Sequence, residues 1–154
     1  MQAGQNPGQN KFEPIHYLAK DVQAAQTAAL ERTSQSGVMH FGQKREQAEE
    51  FVYSSFLPTW KWIVPGENQL PHRHAAVAVQ LFIAGRQSYS TIDGDRVPWQ
   101  DFTVAVSPAG SLHSHHNEGD DLGIYLVAQD FPLHRYLRTY WYEEPESQTY
   151  RHDW

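Results

Sequence analysis

Cysteine is absent from the 154 residues. That absence removes disulfide frameworks, thiolate zinc sites, iron–sulfur ligation and cysteine nucleophiles together. Basic residues are scarce as well: 12 Lys and Arg stand against 18 Asp and Glu, for a formal charge of −6 and a pI near 5.8. A chain without a general basic field is not built to meet nucleic acid or an anionic membrane, and neither partner is expected. No apolar run approaches the ~18 residues of a membrane span. The opening MQAGQNPGQN has neither the charged n-region nor the apolar h-region of a secretory leader. The expectation is a soluble, cytoplasmic chain forming one domain. A chain this size buries roughly 70% of its unfolded surface, so it needs no covalent staple to fold.

Aromatic residues and histidine are what the chain does have. It carries five Trp, eight Tyr, seven Phe and nine His, with five of the histidines between His72 and His116. Residues 1–13 are polar, Gln/Asn/Gly-rich and aperiodic, which predicts a mobile tail. Residues 20–32 are rich in helix formers, with Val22, Ala25 and Ala29 near helical spacing, and predict a short helix that Ser34 to Gly37 punctuates. The charged stretch 43–50 predicts a solvated turn or loop. From residue 51 the texture is aromatic and β-branched: 51–65 predicts a strand interrupted near Pro58, and Pro65-Gly66 a turn. The apolar run 72–84, ended by Gly85, predicts one strand. Asp93-Gly94 between 87–92 and 96–99 predicts a two-residue hairpin, and 102–107 and 122–128 two further strands. From Phe131 onward the chain predicts a helix or an arm that packs back on the body. Strands at this spacing predict an all-β sandwich or barrel preceded by a short helical and extended segment. The expected division is 1–35 tail and helix, 36–145 barrel, 146–154 tail.

His72 and His74 share one face of a strand, because side chains alternate. Two imidazoles so placed can occupy adjacent positions around one metal ion, and His113, after the Pro108–Gly110 turn, is the candidate third ligand. Neutral imidazole suits zinc, copper, iron and nickel rather than calcium or magnesium. The plain alternative is a pair of surface histidines. On the same face lie Ala76, Ala78 and Gln80, where the two small side chains leave room for a ligand. His115 shares the metal-facing side of the second cluster and His116 points away. The opposite face of 72–84 carries Val77, Val79, Leu81 and Ile83, too apolar to stay wet, which predicts cover by the N-terminal segment or by a second subunit, hence a homodimer.

These spacings resemble the cupin superfamily. Gly66-x5-His72-x-His74 with Gly85 is similar to the first cupin motif, and Pro108-x-Gly110-x2-His113-x3-Asn117 to the second. The chain departs from them at the motif glutamate, where Ala78 and Val79 stand, and at the leading glycine of the second motif, where Gln100 and Asp101 stand. More narrowly, residues 55–142 resemble gentisate and salicylate 1,2-dioxygenases, through Pro65 to Gly85 with its His-Arg-His start, His113-Ser-His-His-Asn117, and Asp130-Phe-Pro-Leu133. The resemblance implies a double-stranded β-helix (jelly-roll barrel), His72, His74 and His113 as ligands of Fe(II) or another divalent transition metal, and a small-molecule aromatic substrate with O2. It implies that His115 contacts substrate or handles a proton, with Ala76, Ala78 and Gln80 lining the substrate. Where that family carries an arginine for the substrate carboxylate this chain has Gln80, which supplies hydrogen bonds but no charge. An uncharged phenol, hydroquinone or diketone is therefore expected, unless another basic residue such as Arg32, Arg45 or Arg86 reaches the pocket. The chain is also about half the family's usual two-cupin length. Two other functions fit the same residues: non-redox isomerase or lyase chemistry on the metal, and non-catalytic binding of a small ligand.

Overall fold

The computed structural model describes residues 16–42, 55–146 and 149–151. The expected mobile tail and the charged stretch 43–50 lie outside the described residues. Helix α1 (Ala19–Thr33) forms where the sequence predicts it and ends on Ser34, which adopts a left-handed conformation with its N–H returned to the Leu30 carbonyl. Among the described residues eleven strands follow: β1 (Gly37–His40), β2 (Leu57–Ile63), β3 (Arg73–His74), β4 (Ala78–Ala84), β5 (Ser88–Ile92), β6 (Asp95–Pro98), β7 (Val104–Ser107), β8 (His113–Asn117), β9 (Gly123–Gln129), β10 (Tyr142–Glu144) and β11 (Thr149–Arg151), with helix α2 (Phe131–Leu137) between β9 and β10.

One sheet has the order β1-β2-β9-β4-β7, a second β6-β5-β8, and a third β11-β10-β3. All their strand pairs are antiparallel. A bridge between His72 and His113 joins β8 to the chain entering β3, so the second and third sheets together face the first. The inner residues of the first sheet and Trp99 form the core: Ile63, Ala78, Phe82, Tyr125 and Val127 pack with Trp99, whose ring stacks on Phe82 at 4.7 Å. Burying side chains of this size contributes roughly 1.5–3 kcal/mol each.

Two strand predictions are corrected. The run 72–84 is two strands, not one. After His74 the chain turns a corner, with Ala75 N–H held by the Trp141 carbonyl at 3.1 Å and Val77 N–H by Asp130 Oδ1 at 2.8 Å, and then enters the opposite sheet as β4. Within the described residues, β2 begins at Leu57 and runs through Pro58 without a break to Ile63. Pro58 pairs with Ala128 in β2–β9, and its own carbonyl faces the other way, accepting from Phe41 N–H at 3.0 Å just past the end of β1. The donor that proline lacks therefore faces the strand end, and the β2–β9 ladder loses nothing.

The Asp93-Gly94 hairpin has positive φ at both residues, 49° and 93°, as a two-residue turn between twisted strands requires. Gly85 is held by space as well as by its φ of 141°: an added Cβ would meet Trp99 and Ser88 at 2.9 Å. The segment after Phe131 does both of the things expected of it, forming α2 and then returning as β10 against β3. Strand β11 extends that return within the stretch 146–154.

Candidate metal centre

His72 and His113 face each other as a hydrogen-bonded antiparallel pair. Each backbone N–H meets the other's carbonyl, at 2.9 and 2.8 Å. His74 sits two residues along the same face as His72, and the ring centroids lie 4.4 Å (72–113), 4.8 Å (74–113) and 5.9 Å (72–74) apart. All three are buried, and their candidate ligand atoms lie within 4.8 Å of one another.

The hydrogen bonds decide which atom each ring offers. His72 Nδ1 meets the Leu70 carbonyl at 3.1 Å, His74 Nδ1 the Ala76 carbonyl at 2.9 Å, and His113 Nδ1 the Ser111 carbonyl at 3.0 Å. A carbonyl only accepts, so each Nδ1 carries the proton and each Nε2 keeps its lone pair. Burial holds the three rings neutral: it pushes His72 down to about 3 and His74 to about 4, with the neighbouring imidazoles and Lys61 adding to the effect, and it lowers His113 too. Three neutral imidazole lone pairs, no thiolate in the chain and buried surroundings fit a divalent transition metal.

His115 is buried beside them, its ring 6.0 Å from that of His113, but it is presented differently. Its Nδ1 lies 2.8 Å from Ser90 Oγ, which already accepts the Trp99 indole N–H at 2.9 Å. Indole nitrogen only donates, so the serine hydroxyl proton is free to point at His115 Nδ1. With the hydroxyl donating to Nδ1, the histidine proton sits on Nε2, the reverse of the three neighbouring rings. His116 faces outward, stacked on Tyr89 at 4.6 Å and bonded to Asn68 Oδ1 and Ser114 Oγ.

Ala78 and Gln80 stay on the inner face of β4, and Gln80 donates to Ser107 Oγ at 3.0 Å while its Oε1 has no partner among the described residues. Ala76 does not share that face. The corner after His74 turns it into a second cluster with Ala75 and Tyr140, where its carbonyl rather than its methyl group serves the site.

Of the basic residues considered from sequence, Arg32 and Arg86 are exposed and Arg45 lies outside the described residues. The cation that does reach the interior is Lys61, which the sequence reading missed. It sits on the inner face of β2 with Leu57, Thr59 and Ile63, opposite Tyr125 in register, its Nζ 5.8 Å from that ring. The period-2 pattern of 57–63 was the available signal, overshadowed by Trp60 and Trp62 on either side. Those two point outward, where Gln26 of α1 and the Gln35 carbonyl receive their indole N–H groups.

A jelly-roll barrel that gathers three imidazoles inside one wall has the architecture of the cupins, and those three imidazoles could hold a metal ion. No family model matches the chain. Over 107 residues it is 28% identical to a gentisate 1,2-dioxygenase from Ralstonia sp, covering 70% of this chain and 29% of that protein. Over 82 residues it is 35% identical to a 1-hydroxy-2-naphthoate 1,2-dioxygenase from Nocardioides sp. (strain KP7), covering 53% and 21%. The solved salicylate 1,2-dioxygenase from Pseudaminobacter salicylatoxidans superposes with a TM-score of 0.74 at 14% identity, over 90% of this chain and 43% of that one. The fold is thus that of the salicylate 1,2-dioxygenase structure, and the chain resembles a single cupin domain of the gentisate and salicylate type. It spans less than half the length of each of these relatives. No helix among the described residues is long and apolar enough to cross a membrane.

Proposed function

We propose that this protein is an Fe(II)-dependent dioxygenase that cleaves a carbon–carbon bond in a small hydroxylated aromatic molecule. The observation that carries this reading is the matched orientation of His72, His74 and His113, each with Nδ1 on a backbone carbonyl and Nε2 left free. His72, His74 and His113 would hold a ferrous ion there, and it would supply activation of a substrate oxygen and of O2. Both atoms of O2 enter the product, so the reaction needs no external reductant.

The chain's own groups do the rest. With its proton on Nε2, His115 donates to a substrate oxygen, stabilises negative charge there and returns a proton to it. The free Gln80 Oε1 accepts from a substrate hydroxyl. Phe82, Trp99 and Tyr125 close one end of the interior and keep water from it. The outer valines Val79, Val104 and Val106 are 44%, 62% and 49% exposed, which supports a homodimer formed through this face rather than cover from α1.

The test is metal content after anaerobic purification, followed by O2 uptake against aromatic diols. Iron-dependent uptake at one O2 per ring-opened product is expected. Product formed without O2 uptake would move the reading to non-redox isomerase or lyase chemistry, and ligand binding with no product would leave a binding protein.

A further inference from the structure

We propose that Asp93 and Asp130 are positioning residues of the metal centre, each acting on one ligand imidazole through a single peptide group. The proposal rests on the three-histidine reading of that centre and not on ring cleavage.

A trans peptide unit points its C=O and its N–H in opposite directions, and resonance across the C–N bond couples the polarity of the two. The carbonyl that accepts the His74 Nδ1 proton, at 2.9 Å, is that of Ala76. The N–H of the same peptide unit belongs to Val77, and it donates to Asp130 Oδ1 at 2.8 Å. Carboxylate, peptide and imidazole thus stand in series.

The same series recurs at a second ligand, built from other parts of the chain. The Ser111 carbonyl accepts the His113 Nδ1 proton at 3.0 Å, and the N–H of that peptide unit, on Leu112, donates to Asp93 Oδ1 at 2.8 Å. Asp93 N–H returns to the Leu112 carbonyl at 2.8 Å, so the β5–β6 hairpin tip is fastened to this segment twice. The third ligand has no such series. His72 Nδ1 meets the Leu70 carbonyl at 3.1 Å, and the next residue is Pro71, which has no N–H to give.

Hydrogen bonds to an ionised acceptor are roughly twice as strong as neutral ones, and successive hydrogen bonds polarise one another. A carboxylate on the Val77 or Leu112 N–H therefore makes the carbonyl behind it a stronger acceptor. That carbonyl draws the Nδ1 proton harder, and the Nε2 lone pair becomes the better donor to a metal. None of the three ligands is a carboxylate, so Asp93 and Asp130 lend His113 and His74 anionic character at one remove. The other oxygen of Asp130 lies 3.6 Å from His134 Nε2, a separate contact that the test must set aside.

The experiment replaces each charge by an amide of nearly the same shape. In Asp93→Asn and Asp130→Asn the Oδ1 atom still accepts the backbone N–H, and asparagine tolerates the φ of 49° at position 93. In the metal-free proteins the three imidazole Nδ1–H resonances are followed by NMR with 15N-labelled histidine. Asp130→Asn should move the His74 resonance upfield, Asp93→Asn that of His113, and His72 should stay in place in both. Co(II), titrated anaerobically against a competing chelator, should bind each variant roughly three- to tenfold more weakly, less than the ten- to a hundredfold for partners that touch the ligand itself. The two losses should multiply in the double variant, and His134→Gln should leave Co(II) affinity unchanged. Unmoved resonances, or one shift shared by all three rings, overturn the proposal. So does undiminished Co(II) affinity in both variants, and a loss in His134→Gln equal to that in Asp130→Asn overturns the role of Asp130. An unsubstituted protein that takes up no Co(II) would refute the metal centre, while ring-specific shifts in the same protein would still establish the two series.

Discussion

Replacing Lys61 by methionine is expected to stabilise the fold at neutral pH even as it removes the interior charge. In the folded chain burial lowers the ammonium from its ordinary 10.5 to about 8. Between those values the unfolded chain binds more protons than the folded one, so the stability contributed through Lys61 rises with pH across that window. Below about 8 the folded protein carries the whole penalty. A gap of about 2.5 pH units at 1.36 kcal/mol per unit gives about 3 kcal/mol. Lys61 keeps part of its surface open, and the screening that this permits reduces the expectation to about 1–3 kcal/mol. Methionine has nearly the same length and suits the neighbourhood of the Tyr125 ring, so no new cavity offsets the gain. The assay is urea unfolding of both metal-free proteins at pH 7 and pH 10. The variant should be more stable at pH 7, and the difference should shrink toward pH 10 as the native ammonium loses its proton. Other lysines and tyrosines titrate identically in both proteins and cancel. A variant that is less stable at pH 7, or a difference that does not change with pH, would refute the reasoning.

The remaining expectations concern other parts of the molecule. His72→Ala, His74→Ala and His113→Ala should each lose most bound metal with an unchanged far-UV spectrum, whereas His115→Gln should keep its metal and lose roughly a hundredfold or more in turnover; elemental analysis beside kinetics checks both. Asn117 is fully buried, donates to the Ile63 and Asp121 carbonyls, and accepts from Ser88 Oγ and Gly119 N–H. Asn117→Ala should therefore cost about 3 kcal/mol or more in denaturant unfolding without altering metal affinity, because several buried partners are stranded together. Val104→Lys with Val106→Lys should turn a dimer into a monomer in sedimentation experiments; a protein already monomeric before substitution contradicts the dimer.

What the sequence disclosed of this molecule was local. His72 and His74 share a face through alternation over two residues, and Asp93-Gly94 declares its hairpin through the conformations those two residues tolerate. The corner at 75–77 was not legible in this way. It depends on Asp130 and Trp141, which approach from 53 and 66 positions away, and the small apolar residues there fit a continuous strand equally well. Lys61 was hidden for a related reason. Deciding that Trp60 and Trp62 lie on the outer face of β2 requires knowing that α1 and the chain before β1 cover that face, a tertiary fact that buries Trp62 on the side away from the site.

The partners of the three ligand rings carry a consequence for how such a domain can diverge. Each Nδ1 is oriented by a main-chain oxygen two residues away along its own segment, at Leu70, Ala76 and Ser111. A carbonyl persists whatever side chain is attached beside it, so mutation cannot delete these orienting groups as it could a carboxylate. The ring geometry is therefore insulated from side-chain changes at Leu70, Ala76 and Ser111. Those positions can be replaced one at a time while the three Nε2 atoms stay aimed at the same point.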